Sequence, residues 1–327
     1  MDAGSPTRDR TWLAIAAWAV ISVACASAGG VGPGSGSVAS GSSSSGSAST
    51  GSADGGGTSS GAAVSSSGSA SGTSVCKRGL AYGHALPADQ AAAVPGIGWW
   101  YNWSPSPDPA VQASYASLGL EFVPMQWGGK VDAVKLGAAI PPGARYLLGF
   151  NEPNFKQQAN LTPEAAAAAW PQLEQVALAK GLKLVSPAVN FCGPASACVN
   201  GDTSPFDWLD AFFAACTGCQ VDYLGVHIYL QDGAGLQSVL GQYEARYHQP
   251  IWLTEWGDLG GGVSAADELK LMQQALPILE TDPRVFRYAW FTGRASDQPS
   301  LNLFGADAGL LTPLGQTYVG APGACAP

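Results

Sequence analysis

Leu147-Leu148-Gly149-Phe150-Asn151-Glu152-Pro153-Asn154 is an apolar run that ends abruptly at a carboxylate, with Pro153 stopping the strand directly after it. Further along, Trp252-Leu253-Thr254-Glu255-Trp256-Gly257 ends in the same way. Runs that are continuously apolar rather than alternating suit strands buried on both faces, and such strands belong to parallel sheets. Counting outward from these two, the chain offers eight short apolar runs, several of them nearly continuous: Arg78–Tyr82, Ile97–Tyr101, Leu120–Gln126, Arg145–Phe150, Leu182–Pro187, Val221–Ile228, Ile251–Thr254 and Val285–Phe291. Each is followed by a stretch able to form a helix. The clearest helix has Thr162 as N-cap, Pro163 at the first position, an alanine-rich body to Lys180 and Gly181 as its stop, with Pro171 predicting a kink. Alternating strand and helix implies an α/β fold with a parallel sheet. Eight repeats in roughly 250 residues favour one closed (β/α)8 TIM barrel over an open doubly wound sheet. No G-x-G-x-x-G follows the first strand, which argues against a dinucleotide fold.

The barrel is expected over residues 76–327, and two other segments precede it. Arg8 and Arg10 lead into an apolar run from Trp12 to Ala24, too short to span a bilayer comfortably but suited to a signal-peptide core. Ala24-Cys25-Ala26 and Ala26-Ser27-Ala28 both fit the A-x-A cleavage pattern, so residues 1–28 are expected to be a signal peptide and the protein to be secreted. A lipoprotein signal ending before Cys25, with the chain lipid-anchored at the cell surface, is the alternative. Ser22 stands where that signal wants an aliphatic residue. Residues 29–75 are almost entirely Gly, Ser, Ala and Thr. With nothing apolar to bury, they are expected to form a disordered linker.

Composition narrows the partners. The net charge is −9, charged residues make up 12% of the chain, and no basic stripe is present to neutralise phosphates, so nucleic acid is not an expected partner. Of the seven cysteines, Cys25 lies in the leader. The others, Cys76, Cys192, Cys198, Cys216, Cys219 and Cys325, form an even set in an exported chain and so suggest disulfides. Six cysteines allow 15 pairings. The local choice is Cys192–Cys198 and Cys216–Cys219, leaving Cys76 to meet Cys325 and tie the domain ends together. Cys216-Thr-Gly-Cys219 as a redox or zinc motif is the weaker reading, since no second pair stands at metal spacing. The three histidines, His84, His227 and His248, lie far apart in sequence, and neither a metal nor another cofactor is expected. A monomer is expected.

In a barrel of this kind chemistry sits at the C-terminal strand ends. Those ends carry Trp99 to Trp103 after the second strand and Gln126 and Trp127 after the third. Asn151, Glu152 and Asn154 follow the fourth, Asn190 lies near the end of the fifth, and His227 and Tyr229 close the sixth. Glu255 and Trp256 end the seventh, and Trp290 the eighth. Glu152 and Glu255 are the only acidic residues of the domain that directly abut the end of an apolar strand. Strands 4 and 7 face each other across the mouth, so their glutamates converge on one cavity. Such a pair suits glycosidic cleavage: one carboxyl donates a proton to the departing oxygen while the other, ionised, attacks the oxocarbenium-like centre. One glutamate alone would read as a surface or salt-bridged strand end; two in this placement do not.

Most of the 11 tryptophans fall in the barrel, several at strand ends beside Asn and Gln. An indole beside such side chains suits a sugar, whose C–H faces are apolar and whose hydroxyls are polar. Only Arg294, Lys130 and Lys156 lie near strand ends, too few for a uronic-acid polymer, so the expected partner is a neutral polysaccharide. Trp127, Tyr101 and Asn102 are candidate substrate contacts. A lectin-like protein that binds glucan with weak or no turnover is the rival reading, against which the presence of both glutamates counts.

Several motifs in order resemble glycoside hydrolase family 128, the β-1,3-glucanases with a glycosyl-hydrolase catalytic core. They are Lys77-Arg78-Gly79-Leu80-Ala81-Tyr82, Trp99-Trp100-Tyr101-Asn102-Trp103, Phe122-Val123-Pro124-Met125-Gln126-Trp127-Gly128, Leu148 to Asn154, Val226-His227-Ile228-Tyr229 and Leu253-Thr254-Glu255. Trp256 stands where family members often carry Phe. The resemblance implies a clan A barrel and a retaining mechanism on β-1,3-glucan, with Glu152 as acid/base and Glu255 as nucleophile. It also implies that Asn151 bonds the sugar 2-hydroxyl. On the same barrel plan, Trp290 is expected to stack beneath the sugar at the cleavage point, and His227 or Tyr229 to hold the nucleophile.

Overall fold

The computed structural model describes residues 76–323 and 325; the expected signal peptide, the Gly/Ser linker and Cys25 lie outside the described residues. Eight strands run parallel to their neighbours: β1 Arg78–Ala81, β2 Trp99–Tyr101, β3 Glu121–Phe122, β4 Tyr146–Leu148, β5 Lys183–Val185, β6 Leu224–Tyr229, β7 Ile251–Gly257 and β8 Val285–Phe291. Helices alternate with them: α1 Pro87–Ala93, α2 Ala133–Ala139, α3 Pro163–Lys180, α4 Pro205–Ala215, α5 Gly233–Arg246, α6 Ala265–Thr281 and α7 Pro313–Gly320. Strand β7 is buried at every position, as its unbroken apolar run requires.

The strands form a six-stranded sheet in the order β3-β2-β1-β8-β7-β6 and a separate pair, β4-β5. Isolated parallel bridges join the two, Met125 to Leu148 at one edge and Val185 to Tyr223 and Val189 to Val226 at the other. The ladder thus thins where the sequence predicts continuous strands. Proline is the cause at the first edge: Pro124 has no N–H, and only its carbonyl continues the pairing, accepting from the Leu148 amide at 2.9 Å. Between β6 and β7 the register shifts at Val226/His227, so that His227 pairs with Glu255.

Helix α3 follows its sequence signals. The Thr162 hydroxyl accepts from the Ala165 amide at 3.2 Å, Pro163 opens the helix, and Gly181 ends it at φ 69°, a left-handed value that favours glycine. The helix runs on through Pro171. Both local disulfides, Cys192–Cys198 and Cys216–Cys219, are present, and so is the Cys76–Cys325 tie between the domain ends.

The core closes around an arginine at the N-terminal strand ends. Arg287 is buried, and its guanidinium lies 4.9 to 5.6 Å from the ring centres of Trp99, Tyr146, Trp252 and Phe286. Its Nη2 reaches Glu121 at 2.6 Å. Trp99 fits there because Gly79 faces it; a Cβ at Gly79 would lie 2.2 Å from the indole. Beyond β8, Arg78 bonds Glu280 at 2.7 Å and Tyr288 at 3.0 Å, fastening β1 to α6.

Candidate active site

At the opposite ends of the strands the two glutamates meet. Glu255 lies within β7 and points into a group of donors. Its Oε1 accepts from the Tyr101 hydroxyl at 2.9 Å and the Trp103 indole N–H at 2.7 Å, and its Oε2 accepts from the Tyr229 hydroxyl. These donors bring hydrogens, so the carboxylate acts towards them as an acceptor. Burial first, and then the charge of Glu255 beside them, push both the Tyr101 and the Tyr229 phenols well above their ordinary range, so they remain donors.

Glu152 is positioned by a turn rather than a strand. β4 ends at Leu148, and the chain continues through single bonds: the Asn151 amide to the Trp127 carbonyl at 2.9 Å, and the Glu152 amide to the Ala188 carbonyl at 2.8 Å. Glu152 itself has φ 39°, a left-handed conformation rarely adopted by long side chains and concentrated at functional positions. Its Oε1 accepts from Asn190 Nδ2 at 3.3 Å and lies 3.1 Å from His227 Nδ1.

His227 links the two acids. Its Nδ1 is 3.1 Å from Glu152 Oε1 and 3.3 Å from Glu255 Oε2, and one atom from each of the three side chains lies within 4.8 Å of the others. The ring is fully buried. Burial alone would lower its pKa, but the Glu255 charge, together with the hydrogen bond to and charge of Glu152, outweighs it and holds the imidazole above its ordinary value. The three side chains are close enough to share a cation. However, Nδ1 is already bonded to Glu152, and proton-bearing groups occupy Glu255.

Of the other expected contacts, Tyr101 and Tyr229 reach the site directly. Asn151 lies beside Glu152, with Nδ2 on Gln158 at 3.4 Å and a buried Oδ1 that has no partner among the described residues. Trp127 is half-buried beside them. Asn102 is engaged within its own loop. Its side chain closes its own turn, donating to the Ser106 carbonyl at 3.1 Å and accepting from the Ser104 amide at 3.2 Å, and in doing so shapes the turn that carries Trp103 inward.

Trp290 is not available for stacking. It is fully buried, its indole N–H donates to the Leu301 carbonyl at 2.8 Å, and its ring packs edge-on to Trp256 at 4.6 Å and beside Tyr318 of α7. Side chains along a strand alternate between faces, and the parity of Trp290 sends it outward to the helices. The next residue, Phe291, has the inward parity and packs 5.9 Å from both Trp103 and Tyr229. Phe291 is the site residue that the sequence did not pick out, while Trp103 and Asn190 stand there only as strand-end residues with no individual role. The parity of Arg287, an inward arginine on the same strand, was the signal for Phe291.

Two buried carboxylates facing each other across an imidazole, at the C-terminal ends of parallel strands and walled by aromatic rings, define a glycoside hydrolase. Comparison with known proteins agrees. The model of the glycosyl hydrolase catalytic core family matches residues 79–318. The structure superposes on a family 128 (subgroup II) endo-β-1,3-glucanase of Sorangium cellulosum with TM-score 0.71 and 48% identity, covering 76% of this chain and 99% of that one. A subgroup II endo-β-1,3-glucanase of Pseudomonas viridiflava gives 0.68 and 42%, covering 76% and 98%. A subgroup I enzyme of Amycolatopsis mediterranei, in complex with laminaritriose, gives 0.61 and 31%, covering 76% and 100%. Alkali-sensitive linkage protein 1 of Schizosaccharomyces pombe is 31% identical over 260 residues, which are 74% of this chain but 44% of that protein; the chain thus spans less than half of that relative. The chain belongs to the glycosyl hydrolase catalytic core family and, within it, to glycoside hydrolase family 128.

Proposed function

We propose that the protein is an exported, retaining β-1,3-glucan hydrolase working by double displacement. In the first step Glu152 gives its proton to the glycosidic oxygen while an oxygen of Glu255 attacks the anomeric carbon. The C–O bond pair leaves with the departing sugar, and a glycosyl ester remains on Glu255. In the second step Glu152, now ionised, takes a proton from water, which displaces Glu255.

One observation carries this reading: acid oxygens within 4.8 Å of each other, with one imidazole nitrogen between them. That spacing suits direct attack by a carboxylate, whereas inversion needs a gap of about 6.5 Å or more between carboxyl groups to admit a water. The unpartnered Oδ1 of Asn151 suits a sugar hydroxyl beside the acid. Phe291, rather than Trp290, takes the place of the ring beside the reacting sugar. The linkage preference is supported by the three β-1,3-glucanases that the structure resembles.

The cyclic order of strand neighbours, with isolated bridges at both junctions, supports a complete (β/α)8 barrel over residues 76–327. Export, with residues 1–28 as the signal peptide and 29–75 as a linker, is supported by the three disulfides, which persist in oxidising compartments. The test is a substrate panel. Laminarin and curdlan should be cleaved in preference to cellulose, mannan and polygalacturonate; preferential cleavage of any of the last three would overturn the assignment.

A further inference from the structure

We propose that Trp103 gates the nucleophile: its indole N–H covers the Glu255 lone pair that attacks the sugar, and substrate binding displaces it. This rests on the function proposed above. It begins from a count. An ionised carboxylate offers about four lone-pair positions, two on each oxygen. Oε1 of Glu255 accepts from Tyr101 at 2.9 Å and from Trp103 at 2.7 Å; Oε2 accepts from Tyr229 and faces Nδ1 of His227 at 3.3 Å. Three of these positions hold hydrogen bonds, and the fourth faces the imidazole of His227, whose Nδ1 is bonded to Glu152, so no position is both unoccupied and unobstructed. When the glycosyl ester forms, one lone pair of Glu255 becomes the new C–O bond, the old C–O pair leaves with the glycosidic oxygen, and that oxygen takes the Glu152 proton. One of the four groups around Glu255 must withdraw first.

Three of them are built to stay. Tyr101 is fully buried in β2, and its hydroxyl also lies 3.2 Å from the Thr254 carbonyl, next to Glu255 itself. His227 is fully buried and shared with Glu152. Tyr229 stands in β6, paired in register with Gly257 of the nucleophile's own strand. Trp103 alone lies on a loop. It is half-buried, follows β2 in the turn closed by Asn102, and has φ 58°, where a bulky side chain is rarely found. Its indole lies between Tyr101 at 5.3 Å and Phe291 at 5.9 Å, among the rings that a sugar must approach to reach Glu255. A sugar entering there competes with the indole for both space and the carboxylate. The indole proton is not consumed; its N–H passes to solvent or to a sugar hydroxyl. In the free enzyme the gate keeps the nucleophile capped.

The test uses the full chain carrying Glu152→Gln, which keeps the shape of the site while slowing turnover. The indole N–H resonance of Trp103, assigned by its loss in Trp103→Phe, should lie downfield in the free protein. It should move upfield when a laminari-oligosaccharide saturates the site, as the bond to the carboxylate breaks. In parallel, Trp103→Phe should be labelled at Glu255 by a fluorinated laminari-oligosaccharide inactivator about tenfold faster than the unsubstituted chain, since no charge-assisted hydrogen bond has to break first. A resonance that stays downfield on saturation, or slower labelling of Trp103→Phe, would overturn the gate and leave Trp103 as a fixed support. Failure of the unsubstituted chain to hydrolyse laminarin would remove the proposed function and the gate with it. Laminarin hydrolysis with an unmoved resonance removes the gate alone.

Discussion

At the C-terminal ends of the strands, Tyr101, Trp103 and Tyr229 turn their polar tips towards one carboxylate. At the N-terminal ends, Trp99, Tyr146, Trp252 and Phe286 turn towards one guanidinium. Both arrangements use the dual character of an aromatic side chain, whose face is electron-rich and whose N–H or O–H edge donates. The tips hold a charge by hydrogen bonds that, on the proposed function, are exchanged for a substrate's. The faces hold a charge without exchange and exclude water. One end of the sheet therefore acts as a reactive site and the other as a sealed plug, although similar residues build both.

Substitutions at each end should separate these roles, and the largest effect belongs to the reactive end. Glu255→Gln should lower turnover by roughly 10⁴-fold or more without loss of thermal stability, because a carboxylate enclosed by donors is replaced by a group of the same shape. Glu152→Ala should keep activity on substrates with good leaving groups, and azide should restore its rate with a β-glycosyl azide as product. Equal residual activity of the two variants on every substrate, measured by steady-state kinetics, would erase the distinction between them.

The plug should fail in the opposite sense. Arg287 is buried, and its Nε and Nη1 have no partner among the described residues, so Glu121 is its chief counter-charge. Glu121→Gln should therefore cost about 3–5 kcal/mol, the range for a buried charge left unpaired. Arg287→Met replaces the cation with an apolar chain that suits aromatic walls and leaves Glu121 with Arg145, so it should change stability by only about 1 kcal/mol. Urea unfolding of both variants checks this asymmetry; a greater loss for Arg287→Met would contradict the plug.

A smaller effect is expected just past β7. Glu268 of α6 is fully buried, with Oε2 accepting from the Asp258 amide at 3.2 Å and Oε1 unpartnered among the described residues. Burial, then the charge of Asp258, pushes its carboxyl up to about 8. Its folded value thus lies above the ordinary 4.5 of an unfolded glutamate. Between the two the unfolded chain is ionised while the folded one keeps its proton, so stability falls as pH rises through that window and levels off above it. Glu268→Gln should flatten the melting temperature across this range, and an unchanged pH slope would show that the group does not contribute.

Much of this was legible in the sequence because it depends on local order. Apolar runs, their carboxylate ends and the short spacing of Cys192–Cys198 and Cys216–Cys219 are one-dimensional signals. The side to which a strand residue points is not, since it depends on the parity of the whole strand. Trp290 and Phe291 are neighbours on one strand, yet the first packs against α7 and the second joins the site. Asn102 and Trp103 divide in the same way, one closing a turn and the other reaching Glu255 through a left-handed backbone that no local pattern announces. The donor group around Glu255 draws on β2, the loop that follows it and β6, and only the folded sheet brings these to β7.

The most direct test of the central claim is NMR of the first sugar released from a laminari-oligosaccharide, recorded before mutarotation. Two carboxylates this close, with Glu255 as nucleophile, should release the β-anomer first. Initial release of the α-anomer would mean that water, not Glu255, attacks the sugar, and would contradict the account.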